Sequence, residues 1–393
     1  MNELVLNTVN QDFINNHLNS DTTTLLFKKH KELSLDIKVL IEQIEAKNRC
    51  KKKLPTWFNT PNIYYPNKLN VEQTSSEKTA KFKASIIKGE SLIDLTGGFG
   101  VDTFYFSKVF KKVTHCEINH ELSKIVKHNY KQLNIHNIET LNVNGIEYLI
   151  EAKETYNWIY IDPSRRHESK GKVFFLKDCL PNVPEHLELL FSFSSNILIK
   201  TSPLLDLSIG IKELNHVKTI YVIAVNNEVK ELLWILQKDE TINDIALHTL
   251  NLKGKDIESF NFTLTDETNA KPSYSLPQTY LYEPNAAILK SGAFNSVSEK
   301  LSINKLTQNS HLYTSESLIE FPGRAFKIEN IISYNKKEFK KTGITKANIT
   351  TRNFPVSVED IRIKLKVKDG GNKYVFATTN LKNQKILIIC SKL

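Results

Sequence analysis

Ser91-Leu-Ile-Asp-Leu-Thr-Gly-Gly-Phe-Gly-Val-Asp102 is the stretch on which the fold turns. Leu92, Ile93 and Leu95 form a short apolar run of strand type, with Asp94 near its end. Gly97, Gly98 and Gly100 follow within four positions. The whole chain has 13 glycines in 393 residues, so this cluster marks a special backbone. Val101 to Phe110 then opens as a helix, with Phe104 and Tyr105 on an apolar side. Strand, glycine turn and helix make the layout of a nucleotide-type cofactor site. Glycine permits positive φ and close approach of backbone to ligand. The turn supplies backbone N–H groups and a positive helix end.

Outward from this point the pattern alternates as far as Leu236. Strand candidates are Leu92–Leu95, Lys112–Ile118, Ile138–Asn142, Trp158–Asp162, Asn196–Lys200 and Thr219–Ala224. Helical stretches Val101–Val109, Glu121–Leu133, Gly145–Ala152 and Leu180–Leu190 lie between most of them. Alternating β and α predicts a doubly wound, mainly parallel sheet with ligands at the carboxyl ends of its strands. Upstream, Thr74 and Glu77 have capping-box spacing and predict a helix running to Gly89, directly before the glycine-loop strand.

Residues 1 to about 53 read as helical, with Leu33, Ile37, Leu40, Ile41 and Ile44 on one face. A basic knot (Lys47, Arg49, Lys51, Lys52, Lys53) and an aromatic connector with Trp57, Phe58, Tyr64 and Tyr65 follow. These aromatics either stack on a nucleic acid or pack the helical unit onto its neighbour. Residues 239–280 mix short strands and turns, and Tyr280–Lys290 reads as a strand, a break at Pro284 and a helix. From Phe321 the order is strand, helix, strand, helix and a final hairpin of Lys373–Thr378 and Lys385–Ser391. The expected domains are 1–70 (helical unit and connector), 71–238 (cofactor-binding), 239–320 and 321–393 (small α+β).

Charge is concentrated at one end. Residues 321–393 hold sixteen Lys/Arg against five Asp/Glu, which leaves about −1 for the other 320 residues out of a total of +10. A basic domain beside a near-neutral unit suits a polyanion such as RNA; the alternative is a solvated lysine-rich surface. The first residues carry no basic and apolar leader, and no apolar run approaches the roughly 20 residues that span a bilayer. A cytoplasmic protein without a membrane segment is expected. Four scattered cysteines, with no CxxC pair, predict neither a disulfide framework nor a metal site.

Gly98-Phe-Gly100-Val-Asp-Thr103 begins like GxGxxG and lacks the third glycine, which weakens a dinucleotide reading. Glu117 ends the second strand, where an acid can accept both hydroxyls of a bound ribose. Asn144 ends the third, where its amide either meets an adenine edge or caps the next helix. Trp158-Ile-Tyr-Ile-Asp162-Pro163-Ser164-Arg165-Arg166 is an apolar strand ending in an acid, a proline and two arginines. Arg165 and Arg166 either clamp a substrate phosphate or order the following loop by ion pairing. Phe174 and Phe175 either stack on a flipped base or pack in the core.

Asp94-Leu-Thr-Gly-Gly-Phe-Gly100, Glu117, Asn144 and Asp162-Pro-Ser164, in this order and spacing, resemble the motifs of class I S-adenosylmethionine-dependent methyltransferases. Gln73-Thr-Ser-Ser-Glu-Lys-Thr-Ala80, Asp162-Pro-Ser-Arg-Arg166, Arg352-Asn-Phe-Pro355 and Gly370-Gly371 are similar to a bacterial group carrying a C-terminal THUMP-like domain. The resemblance implies a Rossmann-like sheet, a ferredoxin-like segment around Tyr280–Ser317 and a THUMP-like end. It implies S-adenosylmethionine as cofactor and RNA as partner. Carried over, Asp94, Thr96, Gly97, Gly98, Gly100 and Asp102 surround the cofactor, Glu117 its ribose and Asn144 its adenine. Asp162 and Pro163 face the transferable methyl.

The Asp-Pro-Ser-Arg form departs from the Asp-Pro-Pro-aromatic of amino-group methylases. The fifth strand ends Lys200-Thr-Ser-Pro203, with no cysteine of the kind that carbon methylation of pyrimidines needs. A base nitrogen in structured RNA is therefore the expected acceptor, with Asp162 and the Pro163 carbonyl accepting hydrogen bonds from an exocyclic amine. The alternatives are an RNA-binding protein with a silent methyltransferase fold and, more distantly, a dinucleotide oxidoreductase.

Overall fold

The computed structural model describes residues 1–27, 33, 35–165, 174–238 and 243–393. The chain divides into two compact units, Met1–Val217 with Trp234–Thr241 and Lys218–Leu233 with Ile242–Leu393.

The first unit opens on helices α1 (Thr8–Asn16), α2 (Thr22–Phe27), α3 (Ile37–Lys53), α4 (Pro55–Asn59) and α5 (Lys68–Gln73). In α3 the apolar stripe buries Leu40, Ile41 and Ile44, Asp36 caps the start, and three lysines in the last turn complement the dipole. Trp57 is fully buried, its ring 4.8 Å from Phe104 and 6.3 Å from Phe99. Tyr64 and Tyr65 are buried as well. The connector therefore packs the helical unit down and offers these three rings to no nucleic acid. Much of the basic knot is tied locally: Lys53 donates to the Val71 and Glu72 carbonyls, and Arg49 pairs with Glu72.

Helix α6 (Glu77–Ile86) begins at Ser76, whose hydroxyl accepts from the Thr79 N–H. The Thr74 box expected from spacing does not form. Glu77 is drawn away, accepting from the Thr56 N–H and hydroxyl (2.5 and 2.9 Å) and the Tyr105 hydroxyl (2.7 Å).

Strands and helices then alternate: β1 (Ser91–Asp94), α7 (Val101–Phe106), β2 (Lys112–Cys116), α8 (His120–Gln132), β3 (Ile138–Leu141), α9 (Gly145–Ala152) and β4 (Trp158–Ile161). A two-residue pair, β5 (Ser164–Arg165) and β6 (Cys179–Leu180), precedes α10 (Val183–Phe193), β7 (Asn196–Thr201) and α11 (Leu207–Glu213). The long strands are parallel in the order β7-β4-β1-β2-β3. Chain order reverses between β1 and β4, which opens a crevice at their carboxyl ends.

Strands β8 (Val217–Val225) and β9 (Glu228–Gln237) divide between the two units. In the second unit, β10 (Ala246–Lys253) runs parallel to β8 and antiparallel to β11 (Asp256–Thr263). Next come α12 (Leu264–Asn269), β12 (Tyr280–Pro284), α13 (Ala286–Ser291), α14 (Phe294–Lys300), β13 (Asn304–Lys305) and β14 (Tyr313–Ser315). The chain closes with β15 (Gly323–Ser333), α15 (Lys336–Lys341), β16 (Asn348–Thr351), α16 (Val358–Leu365), β17 (Lys373–Thr379) and β18 (Lys385–Lys392). One seven-stranded sheet, β13-β14-β12-β15-β18-β17-β16, runs through residues 304–315, 280–284 and 323–392. Phe339, Ala347, Ile361, Val375 and Leu387 form the core over its later strands. No described helix is long and apolar enough to cross a membrane.

Candidate functional site

The glycine loop leaves the carboxyl end of β1 and turns under tight steric control. Gly98 and Gly100 have φ of +55° and +76°, a region that disfavours any side chain. A Cβ on Gly97 meets His115 Nε2 at 2.2 Å, and one on Gly100 meets the Tyr130 hydroxyl at 2.2 Å. That hydroxyl donates to the Gly100 carbonyl at 2.9 Å and holds the turn from beneath. At Gly98 a Cβ meets only the Thr96 carbonyl oxygen, at an ordinary contact distance of 3.8 Å, so this position is not crowded. The loop thus rests on β2 and α8 and keeps one backbone face clear.

Asp94 is buried beside the loop. Its carboxylate accepts from the Thr96 N–H (3.0 Å) and the Thr103 hydroxyl (2.6 Å). Burial pushes its pKa up to about 7, against the two hydrogen bonds. Glu117, just past β2, is half-buried. One of its oxygens accepts from the Gly98 N–H (2.9 Å) and the other from the Asn119 N–H (2.7 Å). The carboxylate therefore sits at the loop it is expected to serve. Ile118, next to it, is 73% exposed, an apolar side chain at the crevice lip that the motif reading passed over.

Asn144 caps α9, its Oδ1 accepting from the Ile146 N–H at 3.0 Å and its Nδ2 donating to Glu147 at 3.2 Å. Of the two roles left open for this residue, the structure displays the cap. Gly145 follows because a Cβ there lies 2.7 Å from the Leu95 backbone. Helix and strand end touch at this point.

Asp102 is the anchor of a buried polar network. One oxygen accepts from the Ser75 and Tyr160 hydroxyls, each at 2.7 Å, and the other lies 3.1 Å from Lys83 Nζ. The Lys83 side chain is fully buried and also donates to Ser75 at 3.1 Å. Burial alone raises the Asp102 pKa, but Lys83 and then Lys200, with the two hydroxyls, hold it below the ordinary carboxylate value. His115 is buried under the loop, and neither ring nitrogen has a hydrogen-bond partner among the described residues. Burial pushes its pKa down to about 4.

Asp162 follows β4 and is a third exposed, so it reaches the crevice. Its backbone N–H donates to the Thr96 hydroxyl at 2.7 Å, locking the strand end to the loop. Lys200, from the end of β7, forms an ion pair with Asp162. Pro163 is buried. Arg165 is described as backbone in β5; its side chain, with Arg166 and His167, lies outside the described residues. Phe174 is buried, so core packing is its role, and Phe175 is half-buried under Lys177. Among the described residues no cluster of His, Cys, Asp or Glu is arranged to hold a metal.

Asp94, Thr96, Gly97, Gly98, Gly100, Asp102, Glu117 and Asp162 are thus brought to one strand edge. Ser75, Lys83, Tyr160 and Lys200 join them without having been singled out. For Lys200 a sequence signal existed, since parallel strands ending at 162 and 200 set those two positions side by side. For Lys83, on a helix of mixed polarity, there was none.

Residues 280–322 match the family model of a ferredoxin-like domain, and residues 323–392 that of a THUMP domain-like fold. No curated protein matches the chain. Among solved structures, the chain is similar to a candidate methyltransferase from Porphyromonas gingivalis W83, with 32% identity over 97% of each chain and a TM-score of 0.87. It aligns at 16% identity with an rRNA methylase from Streptococcus thermophilus, over 42% of this chain and 95% of that one, with a TM-score of 0.31. It aligns at 15% identity with TrmK of M. capricolum in complex with S-adenosylhomocysteine, over 41% and 68%, with a TM-score of 0.33. Superpositions as low as these last two carry no weight for substrate or partner.

Proposed function

The chain belongs to the class I S-adenosylmethionine-dependent methyltransferases, in the bacterial group with a C-terminal THUMP-like domain, and from that premise we propose that it methylates a base nitrogen of a structured RNA, tRNA or rRNA. The observation that carries the proposal is the edge where Asp94, the glycine loop, Glu117 and Asp162 converge. The cofactor fits there on two counts. Gly98 leaves space where any other residue has a side chain, and the carboxylates are of the kind that bind an amino group and a ribose diol.

When bound, S-adenosylmethionine supplies an electrophilic methyl group on a sulfonium. Residues 71–238 would then do the following. Asp94, with Thr96, Gly97 and Asp102, holds the amino-acid end. Glu117 exchanges its bond to Gly98 for the ribose hydroxyls. Asn144 borders the adenine, with Ile118 covering its face. Asp162 and the Pro163 carbonyl accept hydrogen bonds from the acceptor amine and orient its lone pair. Arg165 and Arg166 take a neighbouring phosphate, and residues 321–393 supply the positive surface for the RNA.

Labelled-methyl transfer to total RNA tests this, followed by digestion to nucleosides. Wild-type protein should place label on a base nitrogen, and Asp162→Ala should abolish transfer while still binding S-adenosylhomocysteine and RNA. Label on ribose or on protein alone, or full activity in Asp162→Ala, would overturn it.

A further inference from the structure

Strands β4 and β7 run parallel with Ile161 opposite Ile199. One step further sets Asp162 beside Lys200, each at the carboxyl end of its strand. The two side chains close a hydrogen-bonded ion pair through Asp162 Oδ2. Oδ1 accepts no hydrogen bond from the described residues. The pair is neither a solvated surface contact nor a sealed one, with the lysine side chain 13% exposed and the carboxylate 33%. Asp94 from β1 and Asp102 from α7 add negative charge nearby, and Lys83 from α6 already answers Asp102.

We propose that Lys200 is a positioning residue for methyl transfer: it holds one oxygen of Asp162 and leaves Oδ1 to face the acceptor. Two consequences follow from the chemistry. A carboxylate gripped on one oxygen has lost a rotational choice, so the free oxygen points one way. An ionised Oδ1 can also take the acceptor's proton. In that step the nitrogen lone pair forms the new N–C bond, the electrons of the C–S bond stay on sulfur, and the proton leaves nitrogen for Oδ1 and then water. A freely rotating carboxylate does neither well.

The inference rests on the role proposed above for Asp162, and its test does not need the RNA. The carboxyl carbon of Asp162 is observed by ¹³C NMR at fixed pH, assigned by its loss in Asp162→Asn. The full-length protein is compared with Lys200→Met, Lys200→Gln and Lys200→Arg, and S-adenosylhomocysteine binding serves as the folding control. The Asp162 resonance should move in Lys200→Met and Lys200→Gln, which lose the ion pair, and return toward wild type in Lys200→Arg. Transfer to RNA should show the same split, with kcat lowered at least about 10-fold, KM for the cofactor little changed, and partial rescue by arginine. An unmoved resonance in folded Lys200→Met and Lys200→Gln overturns the inference whatever the activity. A moved resonance in a protein that labels no RNA leaves Lys200 in place and removes the RNA assignment instead.

Discussion

The glycine-loop centre and residues 323–392 place their charges differently. At the centre, Asp94, Asp102 and Lys83 are buried, and each is held by hydrogen bonds or an ion pair. In the C-terminal segment Lys336, Lys337, Lys340, Lys341, Lys346, Lys364, Lys366 and Lys368 are exposed over an apolar core. Buried charges need their partners because desolvation is costly, and in return they fix geometry. Exposed lysines add little to stability, and they remain available to a polyanion whose binding weakens with salt. The centre is therefore sensitive to a single atom, whereas the C-terminal surface responds to the number of charges.

The largest expected effect sharpens that contrast at two glycines. Gly97→Ala drives a methyl group into His115, whose ring is confined on all sides. It should abolish S-adenosylhomocysteine binding or prevent folding, read by calorimetry and thermal melting. Gly343→Ala in the C-terminal segment meets nothing within 4 Å and bears only the strain of φ +70°. Its cost should be about 1 kcal/mol. Equal losses at the two sites would break the comparison.

Next in size is the salt dependence. Replacing Lys336, Lys337, Lys340 and Lys341 by Gln should lower the slope of log K against log salt for RNA by up to about 3. S-adenosylhomocysteine affinity should not change. An unaltered slope would remove α15 from the RNA surface. Neutralisation is preferable to deleting residues 321–393, because β15 pairs with β12 and such a deletion strips that strand of its neighbour.

The smallest effects are in pH. The Asp94 pKa is raised, so its contribution to stability is present at low pH and is lost as pH rises through about 7. For His115 the pKa is lowered to about 4, and stability is lost as pH falls from about 6.5 toward 4. Asp94 must ionise to hold an ammonium group, so cofactor affinity should fall as pH drops below about 7, by at most 10-fold per unit. Asp94→Asn should flatten that profile; a wild-type affinity constant between pH 6 and 8 would contradict the role of Asp94.

Much of this fold was legible from residue patterns. The six strands from Leu92 to Ala224 and the final hairpin lie within a few residues of their expected places, and the elements after Phe321 come in the expected order, because apolar alternation and turn residues mark them out. Strand β9 was not foreseen: Leu232 to Leu236 is an unbroken apolar run, which alternation does not assign. The Ser76 cap was hidden because Glu77 has distant partners in Thr56 and Tyr105. At the site, glycines and strand-end acids were readable from spacing. The Lys83–Asp102 pair was not, since it depends on how α6 lies against α7 and not on any interval along the chain.

Calorimetric titration with S-adenosylhomocysteine, with NADH as control, tests the central claim most directly. Wild-type protein should bind S-adenosylhomocysteine and not NADH, and Glu117→Ala should weaken that binding about 10- to 100-fold, the loss of hydrogen bonds to a charged group. Binding unaffected by Glu117→Ala, or binding of NADH in its place, would contradict the site described.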